Sequence, residues 1–256
     1  MLNISVAWEG GVEIHRHCWE AELELLQSHS LIPASWNAIS YDQWTEDLQS
    51  ICGSFHPRLS APGRAVRGAA RGIDVCGMQF AHVSNDLDRV HRDQDDIRRD
   101  RLEHLFLIVQ LQGSCGVEHV GQQATLDVGD CILVDSTRPT TFHFGGTFSN
   151  HLSLHLPRQI MYSEKRTEFE VARKLEGFDP MAIMLRALIA KILSTPESDA
   201  RSADLKQLMF NATRQAFVAD TAMSGISALH DSASSRMQMV STLIDRHLTD
   251  EHLSAK

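Results

Sequence analysis

From Val75 to Leu156 turn-forming residues break the chain so often that short strands are the natural reading; beyond Asp179 apolar residues fall at helical spacing. The breaks stand at Gly113, Gly121-Gln122, Gly129-Asp130, Ser136 to Pro139 and Gly145-Gly146. Glycine tolerates positive φ, proline fixes a bend, and asparagine or aspartate bonds its own backbone. Between these breaks lie strand candidates at His104–Gln112, Gly116–Val120, Ala124–Val128, Cys131–Asp135, Thr141–Phe144 and His151–Leu156, preceded by the alternating run Val75–Val83. Many short strands with regular punctuation predict a β-barrel or sandwich. The stretch Ser84–Glu103, dense in Asp and Arg, reads as a long solvated loop or a charged edge.

Helical spacing flanks this region. Tyr41, Trp44, Leu48 and Ile51 share a helical face, which Gly53 ends as a left-handed cap. Asp179-Pro180 is an N-cap and first-turn pair, followed by Met181, Met184, Leu185, Leu188 and Ile192. Leu205, Leu208, Met209, Ala212 and Ala216 repeat the pattern, residues 224–235 read as a linker, and Val240, Leu243, Ile244 and Leu248 form one more face. The chain of 256 residues divides into an amino-terminal extension (1–40), a main domain (41–222), a linker (223–235) and a helical start (236–256).

The balance of 33 acidic against 24 basic side chains gives a net charge of -9, which argues against nucleic-acid binding over the whole surface. Five scattered cysteines without a CxxC pair suit reduced thiols. The apolar runs are too short for a membrane span, and no secretory leader is evident; a cytoplasmic protein with no membrane partner is the expectation.

Several spaced elements carry a resemblance. Gln110-Leu111-Gln112-Gly113-Ser114, Asp127-Val128-Gly129-Asp130, the run Leu133 to Pro139 containing Ser136-Thr137-Arg138-Pro139, and the run Leu152 to Arg158 resemble the effector half of AraC/XylS-type transcription regulators. Within that family the sequence looks most like the FeaR-type activators of aromatic-amine catabolism, to which Tyr41-Asp42-Gln43-Trp44 and Ile51 to Phe55 are also similar. Residues 240–248, then Leu253-Ser254, look like the first helix of a paired helix-turn-helix domain, so the chain resembles a regulator cut just after that domain begins. The resemblance implies a cupin-like β-barrel, an antiparallel helical pair able to join two subunits as a homodimer, and ligand-dependent transcriptional activation through a DNA-binding domain mostly absent here. The implied effector is a small aromatic amine or its aldehyde.

The residues themselves bear on the site. Strand alternation puts Cys76, Met78, Phe80 and His82 on one face, and His104, Phe106, Ile108 and Gln110 on one face of the next long strand. Met78, Phe80, His82, His104, Phe106 and Gln110 are therefore the candidate ligand-binding set, with Phe80 and Phe106 stacking on a ring and His82 or Gln110 as its polar partner. Val75, Gly77, Gln79 and Ala81 form the rival face and line the interior if the register is reversed. Arg138 is expected to pair with a carboxylate such as Asp135 rather than to touch a ligand. No GxSxG, HExxH or strand-borne GxGxxG is present, so no catalytic residue and no cofactor are assigned. Fourteen histidines keep a metal-dependent cupin enzyme as the alternative, but His151 and His155 stand four apart on one strand, and no metal ligands are assigned.

Overall fold

The computed structural model describes residues 36–163, 168–196 and 199–219. The expected linker and helix-turn-helix start lie outside these residues, as do positions 1–35 of the extension. Two antiparallel sheets face each other. The first, sheet I, has the order β13-β10-β7-β12-β5-β4, and the second, sheet II, has the order β2-β6-β11-β8-β9. Sheet I is built from β4 (Ala69–Val75), β5 (Met78–Asn85), β7 (His104–Gln112), β10 (Cys131–Asp135), β12 (Ser149–Pro157) and β13 (Lys174–Leu175). Sheet II is built from β2 (His56–Arg58), β6 (Arg89–Arg92), β8 (Cys115–His119), β9 (Gln122–Leu126) and β11 (Thr140–His143). A small pair, β1 (Ala38–Ile39) with β3 (Val66–Arg67), lies beside them.

The expected closed barrel is corrected to two open sheets. Helix α1 (Tyr41–Cys52) packs against edge strand β4 and sends Trp44, Leu48 and Cys52 into the core between the sheets. β4 does not pair with β2, and at the opposite edge of sheet I the outer place beside β10 is taken by β13. Ser40 starts α1, its Oγ accepting the Gln43 amide. Gly53 closes it at φ 85°, ψ −164°, a positive φ outside the left-handed helical region that was expected.

Two strand expectations shift. The run Val75–Val83 straddles a hairpin: Cys76 and Gly77, at φ 52° and 64°, form the two-residue turn between β4 and β5. The charged stretch Ser84–Glu103 holds β6 and helix α2 (Gln94–Asp100) rather than a loop. Asp93 caps α2 in a capping box with Asp96. Arg92, wholly buried, binds both Asp100 oxygens at 2.6 Å and the carbonyls of Ser54 and Ser136. The charge density marked an internal ion network, which a composition count cannot separate from a solvated edge.

The outer face of sheet I is covered. Leu105, Leu107, Leu152 and Leu154 are buried there, facing the layer of α4 (Pro180–Leu193) and α5 (Ser202–Phe217), with the single turn α3 (Arg158–Met161) at the end of β12. Asp179 caps α4 as expected. Arg186 on α4 donates to the carbonyls of Gly129 and Gly177, and Lys206 on α5 reaches the Gly77 carbonyl, so both helices are pinned to sheet I turns. None of the helices is long and apolar enough to cross a membrane, among the described residues.

Candidate functional site

Strands β5, β12 and β7 lie side by side, and their register fixes what faces the interior. His151, Ser153 and His155 stand opposite Val83, Ala81 and Gln79 on one side, and opposite Gln110, Ile108 and Phe106 on the other. Directly paired residues share a face. The inner face of sheet I is thus Val83 and Ala81, His151 and Ser153, Phe106 and Ile108. Sheet II and its flank supply Phe55, Val90, Phe142 and Phe144, and α1 closes one side with Trp44, Leu48 and Cys52. The cavity between these walls has about 40 Å³ of free volume.

Aromatic rings dominate the walls. Phe55 lies 6.4 Å from Phe106 and 6.3 Å from Phe142, centroid to centroid, and the Phe142 and Phe144 rings stack near-parallel with His151. Trp44 is fixed by its indole N–H, which donates to the Ser84 carbonyl at 3.0 Å.

The polar groups gather toward one end. Gln110, Ser149 and Asn85 are wholly buried and His151 is 7% exposed. Gln110 Nε2 donates to Ser149 Oγ and to the Gln112 carbonyl, and Ser149 pairs with Asn85 in register. Three atoms of this group find no hydrogen-bond partner: Gln110 Oε1, Asn85 Nδ2 and His151 Nδ1. Such atoms carry a desolvation cost of roughly 1–3 kcal/mol each unless something meets them. Burial, then the charge of His82, lowers the His151 pKa to about 4.

At the other end His155 Nδ1 faces Gln79 Oε1 at 3.2 Å, and its Nε2 lies 4.0 Å from Cys52 Sγ. The amide oxygen can only accept, so Nδ1 carries the proton and Nε2 is the acceptor for the thiol. Burial pushes the Cys52 thiol up to about 12, and burial followed by His104 pushes His155 down to about 3. The two stay neutral, which is the reverse of the thiolate–imidazolium state a cysteine nucleophile needs. Among the described residues no group of three His, Cys, Asp or Glu is placed to hold a metal ion.

The six residues expected at a ligand divide between the two faces of sheet I. Phe106 lines the cavity, His104 stacks on Phe106, and Gln110 stands opposite His151 at the polar end. Met78, Phe80 and His82 are buried on the opposite face. His82 bonds Asn150 Oδ1 at 2.8 Å and lies 5.6 Å from the Trp36 ring. The expected shared face is corrected for β5: its rival, odd-numbered set faces inward. β5 and β7 both neighbour β12, but a bulge beside Asn150 and the two separate registers fix their phases, and each strand alone shows only alternation. Arg138 is exposed rather than paired with Asp135, whose Oδ2 accepts from Arg158 Nε at 3.3 Å. Trp44 and Leu48 were legible as a helical face but not as cavity wall, and Asn85 gave no signal, its partners being remote in sequence.

Residues 44–221 match the AraC-binding-like domain family. The chain belongs to that family. An uncharacterized protein in the nit 5′ region of Bacillus sp. (strain OxB-1) is 25% identical to this AraC-binding-like chain over 135 residues, covering 52% of it and 50% of the relative. The chain thus spans about half the length of the curated relative it matches. Among solved structures, the AraC-like transcriptional activator CuxR superposes with a TM-score of 0.55 at 11% identity, covering 84% of this chain and 76% of that one, a likeness of fold. The EutQ protein of Clostridium difficile matches at a TM-score of 0.30 and 10% identity over 40% of this chain and 77% of that one.

Proposed function

We propose that this AraC-binding-like domain is the effector-sensing part of a ligand-responsive transcriptional activator, and that its effector is a small aromatic amine or the derived aldehyde. The observation that carries the reading is the interior itself: aromatic walls with three unpartnered polar atoms gathered at one end, and a fourth, His104 Nδ1, beside Phe106, as a site for one small ring-bearing ligand requires. The match of CuxR in fold is consistent with a regulator.

The free volume of about 40 Å³ is well below the ~150 Å³ that holds benzene in an engineered protein cavity. A ring therefore enters only with displacement of a wall. Helix α1 is the wall that is not itself a strand of either sheet; side-chain bonds from Trp44 to the Ser84 carbonyl and from Tyr41 to the Pro57 carbonyl hold it, and it places Trp44, Leu48 and Cys52 against the cavity. The two states of the switch are then α1 seated over an empty interior and α1 shifted by an occupant. An effector biases them only by its differential affinity. The half-buried apolar stripe of α4, with Ile183, Met184 and Leu188, is the surface we assign to a homodimer contact, and DNA contacts fall to a helix-turn-helix part.

Calorimetric titration of the purified chain with 2-phenylethylamine, tyramine and their aldehydes tests the effector reading, with Phe106→Ala beside wild type. Binding by wild type, weakened at least tenfold in the folded variant, is the expected result. Absence of binding by all of these compounds refutes it. Transcription of neighbouring genes in cells with and without the gene, given the binding compound, tests the activator role.

A further inference from the structure

The geometry points to an effector that is electrically neutral when bound, an aromatic ring carrying one uncharged hydrogen-bonding head such as an aldehyde or hydroxyl, and not an ammonium or a carboxylate. The inference rests on the effector reading above and narrows its chemistry.

Among the described residues, the cavity lining contains no Asp, Glu, Lys or Arg. Arg92 lies behind the wall, its guanidinium 5.5 Å from the Phe55 ring centroid. Its nitrogens are already taken by both Asp100 oxygens and by the carbonyls of Ser54 and Ser136, so it offers no charge to an anion inside. No acidic group faces the cavity from β5, β7, β12, sheet II or α1 to meet an ammonium. Moving an unpaired ion from water into such surroundings costs several kcal/mol even after relaxation. The imidazole of His151 does not supply the missing charge, because burial keeps it neutral at neutral pH.

What the interior does offer is a matched set of neutral groups. Gln110 Oε1 is an acceptor, Asn85 Nδ2 is a donor, and His151 Nδ1 is one or the other by tautomer. All three belong to adjacent strands and sit on the inner face of sheet I by register; His151 lines the cavity itself, and Gln110 and Asn85 stand beyond its present wall at that end. A carbonyl can take the donors, and a hydroxyl can both donate and accept. A protonated amine satisfies only the acceptors and leaves its charge uncompensated. The head of the ligand lies at this end, and its ring lies among Phe106, Phe142 and Phe144.

The test is a calorimetric comparison of four ligands that share one ring and differ in the head: 2-phenylethanol, phenylacetaldehyde, 2-phenylethylamine and phenylacetate, at pH 7.5 with the full chain. The expected result is binding of the alcohol and aldehyde with both ions at least about 100-fold weaker, a ratio consistent with an uncompensated buried charge. If the amine or the acid binds within tenfold of the alcohol, the neutral-head inference is overturned while the effector reading stands. If none of the four binds, the effector reading itself fails. Gln110→Met and His151→Leu then place the head. Each is checked for its fold by circular dichroism, and at least one folded variant should lose tenfold or more in affinity for 2-phenylethanol. Wild-type affinity in both folded variants would overturn the assignment of the polar end.

Discussion

Single residues inside this domain hold protonation states that water would not give them. His151 and His155, lowered to about 4 and about 3 by burial and by their neighbours His82 and His104, remain neutral in the fold while an unfolded imidazole titrates near 6.5. Between those values the unfolded chain binds protons that the folded chain refuses, so stability falls as pH drops below about 6.5. Each imidazole contributes a loss of roughly 1.4 kcal/mol per pH unit in that window. Urea unfolding at pH 7 and pH 5 should show a clear fall in midpoint, and His151→Gln should make that fall smaller, His155 supplying the rest; a midpoint unchanged between the two pH values rules the burial effect out. Arg92 makes the opposite case of a charge kept inside by full pairing. Arg92→Met strands the Asp100 carboxylate and should cost roughly 3–5 kcal/mol, read as a lowered denaturant midpoint. At Gly113 a Cβ would meet the Phe148 carbonyl oxygen at 2.1 Å with φ at 67°, so Gly113→Ala should cost upwards of about 1–3 kcal/mol in the same measurement.

The secondary-structure elements were unequally visible in the amino-acid order. β7 over His104–Gln112 and β10 over Cys131–Asp135 stand where turn residues and apolar runs put them, because both are buried on both faces and bounded by glycine or Ser-Thr-Arg-Pro. α4 was equally plain, since Asp179-Pro180 is a local start signal. β6 and α2 were hidden, as their polar residues are stabilised by partners such as Ser54 and Ser136 that only the fold brings near. The inward phase of β5 was hidden for a related reason: alternation identifies two faces, and only the pairing with β12 says which is inside. For α4 the proposed subunit contact makes a prediction. Leu188→Glu, on its half-buried side, should leave the melting temperature within a few degrees while light scattering falls from dimer to monomer mass; a mass unaffected by the change removes α4 from the contact.

At the scale of the whole molecule, charge and layering govern behaviour. A net charge of -9 opposes phosphate contacts over the surface as a whole, and the chain alone should not retard duplex DNA specifically at physiological salt; a competitor-resistant shifted band would reverse that view. Among the described residues, sheet II, sheet I and the helices α4 and α5 stack as three layers with sheet I in the middle. Within β12, Ser153 looks into the cavity and Leu154, its neighbour in the chain, is buried on the helical side. Successive residues of a strand are about 3.3 Å apart and cannot shift independently. Pressure from an occupant on one side of this strand is therefore displacement on the other, without any intervening relay. By the same reasoning, trimming Leu154 on the helical side should reshape a chamber that its side chain does not line.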